Sequence, residues 1–549
     1  MTEVRSGLSA DAGRQVRWGV ALAVLVAGMF MSILDVTIVN VAIPTIQNDF
    51  GTTVEDVQWV ANAYTLALGV VVPLSGWLGD RFGHGRVYVL SVLGFAFGSA
   101  LCGLAWDLNS LVVFRILQAV PGGIIPVITL TMVYRIVPKE KIGTAMGMYG
   151  LGIVFAPAVG PTLGGYLVEY VDWRLIFFIN VPIGVLGAVA AVLVLPRFAP
   201  GPRRRFDVWG FLAVAGGLFA LLLALSEGES WGWTSYEIVM LLILSAVCLA
   251  LFVVIELEVD EPLLDVRIFR YWQFTNSLVL ISLMSVALFS GLFYVSLYLQ
   301  QAQGLGAFET GLVMLPQAIA TGVMMPISGR LYDRLGPRLP AVVGLVLVAV
   351  GTYLMAELRV ETPRDHVMWL LVLRGFGMGL AMMPIMTGGL AAVPPSRVSE
   401  ASAFNNVVQR TAAALGVAVL TAMLTANQAQ TMADRAALIP DGSVAPAVGT
   451  PDSPPLLGLY AWYQQLGGQV YVSALDQLFL VTAVISVLGV LGALLLRSEV
   501  GAASGRRDEP AAEPEPAEVS IPAPRRSPEA GPIGEDQPVA ASAPPGRRS

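Results

Sequence analysis

The sequence predicts an all-α integral membrane protein with fourteen transmembrane helices, grouped as six, two and six, and with both chain termini in the cytoplasm. Three observations lead to this fold class: a strongly apolar composition, an alternation of charge between successive loops, and an internal repeat. Of the 549 residues, 56% are hydrophobic and only 13% are charged, whereas about 25% of the residues of soluble domains are charged. Most of the chain is therefore expected to lie in a lipid bilayer.

Fourteen segments are apolar over at least about 17 to 20 residues, the length that a helix needs to cross the hydrocarbon core of a membrane. The first segment is too long for the core of a signal peptide and lacks a small-residue cleavage site, so it is expected to remain as an anchor. The predicted helices cover residues 18–43, 57–78, 87–106, 109–134, 142–167, 173–195, 207–226, 236–257, 273–300, 309–330, 339–357, 367–392, 405–427 and 474–497.

The charges of the connecting loops support this count and predict the orientation. Loops after even-numbered helices collect basic residues, such as Arg81 and Arg86 after helix 2, and loops after odd-numbered helices carry mostly acids, such as Asp49 and Glu55 after helix 1. Because cytoplasmic loops are enriched in Lys and Arg, both termini are predicted to be cytoplasmic. One missed helix would reverse the charge of every later loop, so the alternation favours fourteen spans.

An internal repeat divides the chain into two related halves. The segment VPLSGWLGDRFG at residues 72–83 recurs as MPISGRLYDRLG at residues 325–336, and Arg115 in helix 4 has a counterpart, Arg374, in helix 12. Many transporters consist of two such halves that move about a site near the middle of the membrane. The predicted divisions are a cytoplasmic N-terminus (1–17), a six-helix bundle (18–195), a basic linker with a two-helix insert (196–257), a connecting loop with a second six-helix bundle (258–497) that contains a long external loop (428–473), and a disordered cytoplasmic tail (498–549).

Six segments of the chain have a distinctive sequence: LDVTIVNVAIP (34–44), GWLGDRFGHGR (76–86), RILQAVPGG (115–123), APAVGPTLGG (156–165), WRLIFFINVPIG (173–184) and FNNVVQRTAAALGVA (404–418). They resemble the signature sequences of the major facilitator superfamily, in particular those of its fourteen-helix drug:proton antiporter subfamily of the multidrug efflux type. The likeness extends over about residues 17 to 497 and implies a major facilitator fold, export driven by the proton gradient, and no cofactor. The sequence departs from the family at residues 84 and 85, His and Gly, where basic residues are usual.

One acidic side chain, Asp35, lies within predicted helix 1. A charge at the centre of a bilayer costs about 2.5 to 3.5 kcal/mol on insertion scales, so an acid in this position indicates a functional site. Asp35 lies about nine residues before the predicted outer end of its helix at Pro44, or ~13 Å deep, and Arg115 lies about seven residues inside helix 4, or ~10 Å deep. The two side chains are predicted to pair and to couple transport to protons. The family resemblance assigns the same role to the helix 1 acid, and a static ion pair that fixes helix packing is the alternative.

Two further sets of residues are candidates for gating and antiport. Glycines permit the tight path of the repeated turn, and its aspartates can accept hydrogen bonds from helix N-termini or pair with arginines. Family members use this turn as a cytoplasmic gate, and a plain basic loop that sets topology is the alternative. Helix 5 carries small residues at four-residue spacing, which permits close helix packing and resembles the antiporter-specific motif of exporters. The candidates are Gly76, Asp80, Arg81, Gly83 and Arg86, then Asp333 and Arg334 in the second copy, and Gly160, Pro161 and Gly164 in helix 5.

The second half has no acid that corresponds to Asp35, and no other acid is expected well inside a helix of either half. The partner of Arg374 could be a backbone carbonyl, a glutamine or an anionic part of the substrate. Arg410 in helix 13 could face the interior or extend toward the cytoplasm. Aromatic and methionine side chains could line an adaptable pocket for lipophilic compounds. The candidate pocket residues are Phe30, Asn40, Gln118, Phe293, Met382, Arg374 and Arg410.

The predicted function is proton-coupled efflux of lipophilic or amphiphilic small molecules by alternating access, and export of lipids or glycolipids to the cell envelope is the alternative. The sequence has no HExxH motif, no cluster of metal ligands and no phosphate loop, which argues against an enzyme. The expected partners are the lipid bilayer, protons and a small lipophilic substrate, and not nucleic acid; a monomer and a complex with an envelope protein are both compatible with the sequence. Few lysines, with abundant Ala, Gly and Arg, favour a high-GC bacterial source and hence the bacterial cytoplasmic membrane.

Overall fold

A computed structural model describes residues 18–196, 205–437 and 455–497, with side chains at all of these except 158, 161, 307 and 433–468. Within these ranges all regular secondary structure is helical, as predicted. The α-helices, numbered α1 to α16 in chain order, are Trp18–Phe50, Val54–Val71, Leu74–Phe82, His84–Gly103, Leu108–Ile136, Ile142–Tyr170, Leu175–Phe178, Asn180–Val194, Val208–Trp231, Tyr236–Glu258, Trp272–Leu297, Ala307–Leu335, Arg338–Met355, Arg364–Ala391, Val398–Ala437 and Pro455–Leu494.

Thirteen spans in the described residues are long and apolar enough to cross a membrane, and α2 with α3 makes a fourteenth if this bent pair counts as one. The two helices meet at an angle of 56°. The bend falls at Pro73, which has no backbone N–H to donate within a helix. The short helix α7 continues into α8 as a single candidate span, Leu175–Val194.

Three predicted boundaries are wrong, all at the ends of long helices. Helix α1 continues through Pro44 to Phe50, because a proline inside a helix removes one hydrogen bond and need not end it. Asp35 therefore lies about 15 residues, or ~22 Å, from the end of α1, and not ~13 Å. The predicted external loop 428–473 is helical at both ends, since α15 extends to Ala437 and α16 begins at Pro455.

The residues that extend α15 include too many polar side chains for an apolar membrane segment. Several of them are nevertheless good helix formers, such as Ala, Gln and Met. A prediction based on apolar length therefore stops too early. The central part of this predicted loop, residues 438–454, lies outside the described residues, as do the predicted cytoplasmic N-terminus at 1–17, most of the basic linker at 197–204, and the predicted tail at 498–549.

The starts of several helices are fixed by side chains that cap them. Asp107 accepts a hydrogen bond from the backbone N–H of Ser110, 2.7 Å from N to Oδ1, and the Ser110 hydroxyl accepts one from the Asp107 N–H in return. This capping box begins α5 at Leu108 and so sets the depth at which Arg115 lies. The hydrogen bonds to Ser110 lower the pKa of the Asp107 carboxyl.

Helices α1–α8 form a first bundle and helices α11–α16 form a second, with α9 and α10 as an inserted pair that packs together. One end of the first bundle, which we call the basic end, carries the contact between Arg135 and Asp80. The other end, the acidic end, carries the contact between Arg174 and Asp49. Helix α9 touches both bundles, through α2 and α15.

The two bundles meet mainly where α6 packs against α12. Glycines on α6 allow the helix backbones to approach closely, because a Cβ on Gly147 would lie 2.5 Å from the carbonyl oxygen of Met325. A Cβ on Gly143 or on Gly329 would collide with the backbone of the other helix. The close contact between the bundles therefore requires small residues on both helices.

The predicted stripe of small residues lies on another part of α6 and packs against α1. Gly152 faces Val26, and Gly160 and Gly164 face Thr37 and Ile38. The side chain of Pro161 lies outside the described residues. The stripe therefore holds against α6 the segment of α1 that carries Asp35.

We expect Gly164→Ala to destabilise the protein. The added Cβ would lie 2.7 Å from Cγ1 and 3.2 Å from the carbonyl oxygen of Ile38, and overpacking of this kind costs about 1 to 3 kcal/mol. Gly165→Ala is the matched control, since no atom lies within 4 Å of its added Cβ and the gain in helix propensity is the same. Thermal unfolding of the purified variants should show a loss for Gly164→Ala only, and equal melting temperatures would contradict the close packing of α1 on α6.

Candidate functional site

The Asp35 carboxylate lies inside the first bundle and is fully buried. Its Oδ2 is in contact with Nη1 of Arg115 on α5. Its Oδ1 accepts hydrogen bonds of 2.9 Å from Nε2 of Gln118 and of 2.9 Å from Nδ2 of Asn180. The structure thus brings the two predicted partners, Asp35 and Arg115, together and surrounds the carboxylate with three donors.

The Arg115 guanidinium is also buried and makes contacts beyond the carboxylate. Its Nη1 donates to Oε1 of Gln118 at 2.8 Å, and its Nε donates to the carbonyl oxygen of Val60 at 3.3 Å. Its central carbon lies 3.8 Å from the ring centroid of Tyr64, a cation–π distance. The charge of Arg115 is therefore matched by an acid, two neutral oxygens and an aromatic face.

Sequence reasoning did not single out Asn180, Ser99 or Tyr64 as parts of this site. Asn180 begins α8 just after the α7–α8 break, and its Nδ2 also lies 3.1 Å from the Ser99 hydroxyl. That hydroxyl in turn donates to the Phe177 carbonyl at 2.8 Å. A polar residue within an apolar segment is a signal that could have identified Asn180, but its position at a helix break close to Asp35 depends on the fold.

The first copy of the repeated turn lies at the basic end and contacts the second bundle. Nη2 of Arg135 lies 3.3 Å from Oδ1 of Asp80, and Nε2 of His84 lies 3.1 Å from the hydroxyl of Ser399 at the start of α15. His84 is buried, so the residue that departs from the family pattern fills a position at the contact between the two bundles.

The other predicted residues of this turn have different environments. Gly83 joins α3 to α4 with a φ of 90°, a backbone conformation that favours glycine. Gly76 is buried against the backbone of α15, where an added Cβ would lie 3.7 Å from the carbonyl carbon of Ser399. Arg81 is half-buried, whereas Arg86 and Arg334 are exposed.

The second copy of the turn contacts the opposite bundle directly. Asp333 on α12 accepts hydrogen bonds from the backbone N–H groups of Gly143 and Thr144, at 2.9 and 3.0 Å, and from the Thr144 hydroxyl at 2.9 Å. The acid therefore caps the N-terminus of α6, where the helix dipole favours a negative charge. Tyr134 donates to the Thr387 carbonyl at 3.1 Å nearby. These side-chain hydrogen bonds between the two bundles all lie at the basic end.

The two arginines of the second bundle lie inside it. Arg374 is fully buried and donates to the backbone carbonyl of Ala287, so the first of the three partners considered from the sequence is the one observed. Arg410 is half-buried, and its Nε is buried without a hydrogen-bond partner among the described residues. This nitrogen therefore lies inside the protein.

The remaining predicted pocket residues do not share one environment. Met382 lines a narrow apolar crevice between α11 and α14, while Gln118 belongs to the Asp35 network of the first bundle. Phe293 is 40% exposed, Asn40 is exposed, and Phe30 is half-buried. The sequence could not predict that these pocket candidates lie apart from one another, because residue type alone does not show which side of a long apolar helix faces a neighbour.

The expectation that no acid besides Asp35 lies well inside a helix of either half is wrong. Asp476 lies about seven residues into the candidate span Gln469–Leu494 and is half-buried. The sequence prediction placed the start of this helix at residue 474, because residues 455–473 contain polar and small side chains. The longer helix moves Asp476 from the helix end into the span.

Two bundles related by a repeat, candidate membrane spans throughout and a buried acid in the first span define a secondary transporter. The chain belongs to the major facilitator superfamily, since the family model of the Major Facilitator Superfamily matches residues 25–417. This finding confirms the family to which the signature segments pointed. The chain is thus a multi-pass membrane transporter of this superfamily with an all-helical fold and thirteen or fourteen candidate spans in its described parts.

Curated relatives and solved structures agree with this assignment. The chain is 37% identical over 404 residues to an uncharacterised transporter of the superfamily, YhcA of Bacillus subtilis, covering 74% of this chain and 76% of YhcA. It is 34% identical over 423 residues to the tetracenomycin C resistance and export protein of Streptomyces glaucescens, covering 76% and 77%. The proton:xylose symporter XylE shares the fold, with a TM-score of 0.56 at 10% identity over 86% of this chain and 94% of XylE.

We expect Asp333→Ala to weaken the contact between the bundles. Loss of the carboxylate leaves the first backbone N–H groups of α6 without their acceptor, and hydrogen bonds to a charged group contribute about 1.5 to 3 kcal/mol. Glu309→Ala, an exposed acid on the same helix, is the control and should stay within about 0.5 kcal/mol of the parent protein. Denaturant unfolding of the purified variants measures both effects. A loss of equal size in the two variants would show that Asp333 makes no specific contact with α6.

Proposed function

We propose that this protein exports lipophilic or amphiphilic small molecules, among them drugs or antibiotics, in exchange for protons. The observation that carries the proposal is the buried Asp35–Arg115 pair between α1 and α5. Membership of the major facilitator superfamily and the names of the relatives, which include a resistance and export protein, support it. A multidrug resistance protein B homologue of Mycobacterium tuberculosis, 32% identical over 407 residues, points the same way.

We further propose that the chain spans the membrane fourteen times, with α2 and α3 as one span and with both termini in the cytoplasm. The basic end would then face the cytoplasm, in agreement with the preference of Lys and Arg for that side. The bacterial relatives support a location in the cytoplasmic membrane of a bacterium. In this orientation the bundles are held together on the cytoplasmic side.

In the proposed mechanism, the closed basic end is one of two alternating states. Asp35 accepts from three donors in this state, so a proton can bind only where one of these donors withdraws. In this state, a local separation of α1 from α5 or α8 would admit a proton from the acidic end. Rocking of the bundles about α6 and α12 would then open the cytoplasmic side. Release of the proton to the cytoplasm would restore the ion pair between Asp35 and Arg115.

The energy available from protons is sufficient for export. One charge entering against 100 mV contributes about 2.3 kcal/mol, and one unit of pH difference contributes about 1.4 kcal/mol. Together these could concentrate a neutral compound by roughly a few hundredfold. We therefore propose that the proton gradient alone drives the protein, without ATP, a cofactor or an enzymatic step.

We expect Asp35→Asn to abolish proton-driven export, because an amide cannot release a proton in the physiological range. Asp49→Asn is the matched control: Asp49 lies on the same helix and also pairs with an arginine, Arg174, but at the exposed acidic end. The measurement is pH-gradient-driven movement of ethidium in vesicles with purified protein, with and without a protonophore. The parent protein and Asp49→Asn should transport until the protonophore is added.

Two checks keep this test decisive. The double variant Asp35→Asn/Arg115→Gln removes both charges, so it avoids the cost of leaving one buried charge unpaired, about 3 to 5 kcal/mol. Size-exclusion profiles show whether each variant is folded. Transport by folded Asp35→Asn at the rate of the parent protein would refute the role of Asp35 in proton coupling.

A further inference from the structure

The two halves of the chain each bury an arginine at corresponding positions, Arg115 on α5 and Arg374 on α14, but they treat its charge differently. Arg115 is paired with a carboxylate. No acid in the described parts of the chain contacts Arg374, and no ionisable group there acts on its charge. The second bundle therefore holds a buried positive charge without a counter-ion among the described residues.

The hydrogen bonds of Arg374 leave much of its guanidinium unused. Nη2 donates to the Ala287 carbonyl, whereas Nε and Nη1 are buried and have no hydrogen-bond partner within the described ranges. A buried charge without a partner is costly, and a buried donor left unsatisfied adds about 1 to 3 kcal/mol. A site with this cost is expected where a ligand supplies the missing charge and acceptors.

Glycine takes the place that the carboxylate takes in the first bundle. The Arg374 guanidinium packs directly against Gly291 on α11, where any Cβ would overlap it, and its backbone packs against Gly351 on α13. Ser290 and Thr352, the chain neighbours of these glycines, each bury a hydroxyl oxygen without a partner in the described residues. The surroundings of Arg374 therefore contain polar groups without hydrogen-bond partners, next to glycines that have no side chain to fill the space.

An apolar crevice begins within one helical turn of Arg374. Its walls are side chains of α11 and α14 and include Leu288, which follows Ala287 in the chain, and Met378, four residues after Arg374. The remaining lining residues are Ile281, Met284, Ser285, Met382 and Ile385. Methionine side chains adapt readily to apolar ligands of different shapes.

We propose that Arg374 binds the anionic group of a lipophilic, singly charged substrate, whose apolar body lies in the crevice between α11 and α14. This inference rests on the proposed export function and adds one chemical class, lipophilic anions, to the cargo. A carboxylate suits the site because a guanidinium can donate to both of its oxygens in one plane. The same chemistry would suit the anionic head group of a lipid, and the experiment distinguishes the two sources.

The test measures binding to the purified full-length protein in nanodiscs of phosphatidylcholine. The probes are 4-butylbenzoate, 4-butylbenzyl alcohol and 4-butylbenzylamine, which share one apolar body and differ in charge. The parent protein should prefer the benzoate. Arg374→Gln should weaken its binding by roughly tenfold to a hundredfold, the equivalent of about one charged hydrogen bond, and Arg374→Lys should weaken it less because the charge remains.

A second variant tests the geometry without removing the charge. Gly291→Ala should displace the guanidinium, the mobile end of a long side chain, and weaken benzoate binding. Gly311→Ala is its control, because no atom lies within 4 Å of the added Cβ. Arg374→Met should also raise the melting temperature of the ligand-free protein, since it removes an unpaired buried charge, whereas an arginine with a purely structural role would lower it.

The outcomes separate this inference from the proposed function. Equal affinity for the three probes, or benzoate binding that survives Arg374→Gln and Gly291→Ala unchanged, would overturn the anion site even if ethidium is still transported with protons. Binding that requires Arg374, without any proton-driven transport, would overturn the export function and leave the anion site standing. Displacement of the benzoate by phosphatidylglycerol in the nanodisc assigns the site to lipid head groups, and absence of displacement assigns it to free anions.

Discussion

The contact between Asp35 and Arg115 is the constraint on which the first bundle depends. Either charge alone at this depth would be costly. The pairing therefore holds α1 and α5 together at one level, with the partner amides of Gln118 and Asn180 in reach. The α7–α8 break brings Asn180 to the carboxylate, and the Tyr64 ring covers the guanidinium. Because five polar or aromatic groups from several helices meet at one point, a change in the position of any of these helices alters the site.

Close helix packing at glycines connects the segment around Asp35 to the second bundle. Helix α6 contacts α1 through Gly160 and Gly164, and α12 through Gly143 and Gly147. The same helix thus touches the segment that carries Asp35 and the segment that carries Asp333. A rigid helix that packs closely on both neighbours offers a physical route by which a change at the buried acid reaches the contact between the bundles.

The repeat gives two bundles of similar construction but unequal chemistry. In the first copy of the turn, Asp80 contacts Arg135 of its own bundle; in the second, Asp333 caps a helix of the opposite bundle. The buried arginines differ in the same way, since one has a carboxylate and the other has Gly291 at its guanidinium. Duplication therefore supplies the framework, and substitutions within it give the two buried arginines different partners.

The sequence by itself determined the helical class, the number of apolar segments and the pairing of Asp35 with Arg115, because apolar length, loop charge and a buried acid are local signals. It did not determine where long helices end, since Pro44 and the polar start of α16 lie inside helices. Only the tertiary structure decided that Asn180 joins the Asp35 network, that Gln118 belongs to this network, and that Arg374 has no counter-ion among the described residues. These facts depend on which helix faces meet, and long segments that are apolar on every side carry little information about their orientation.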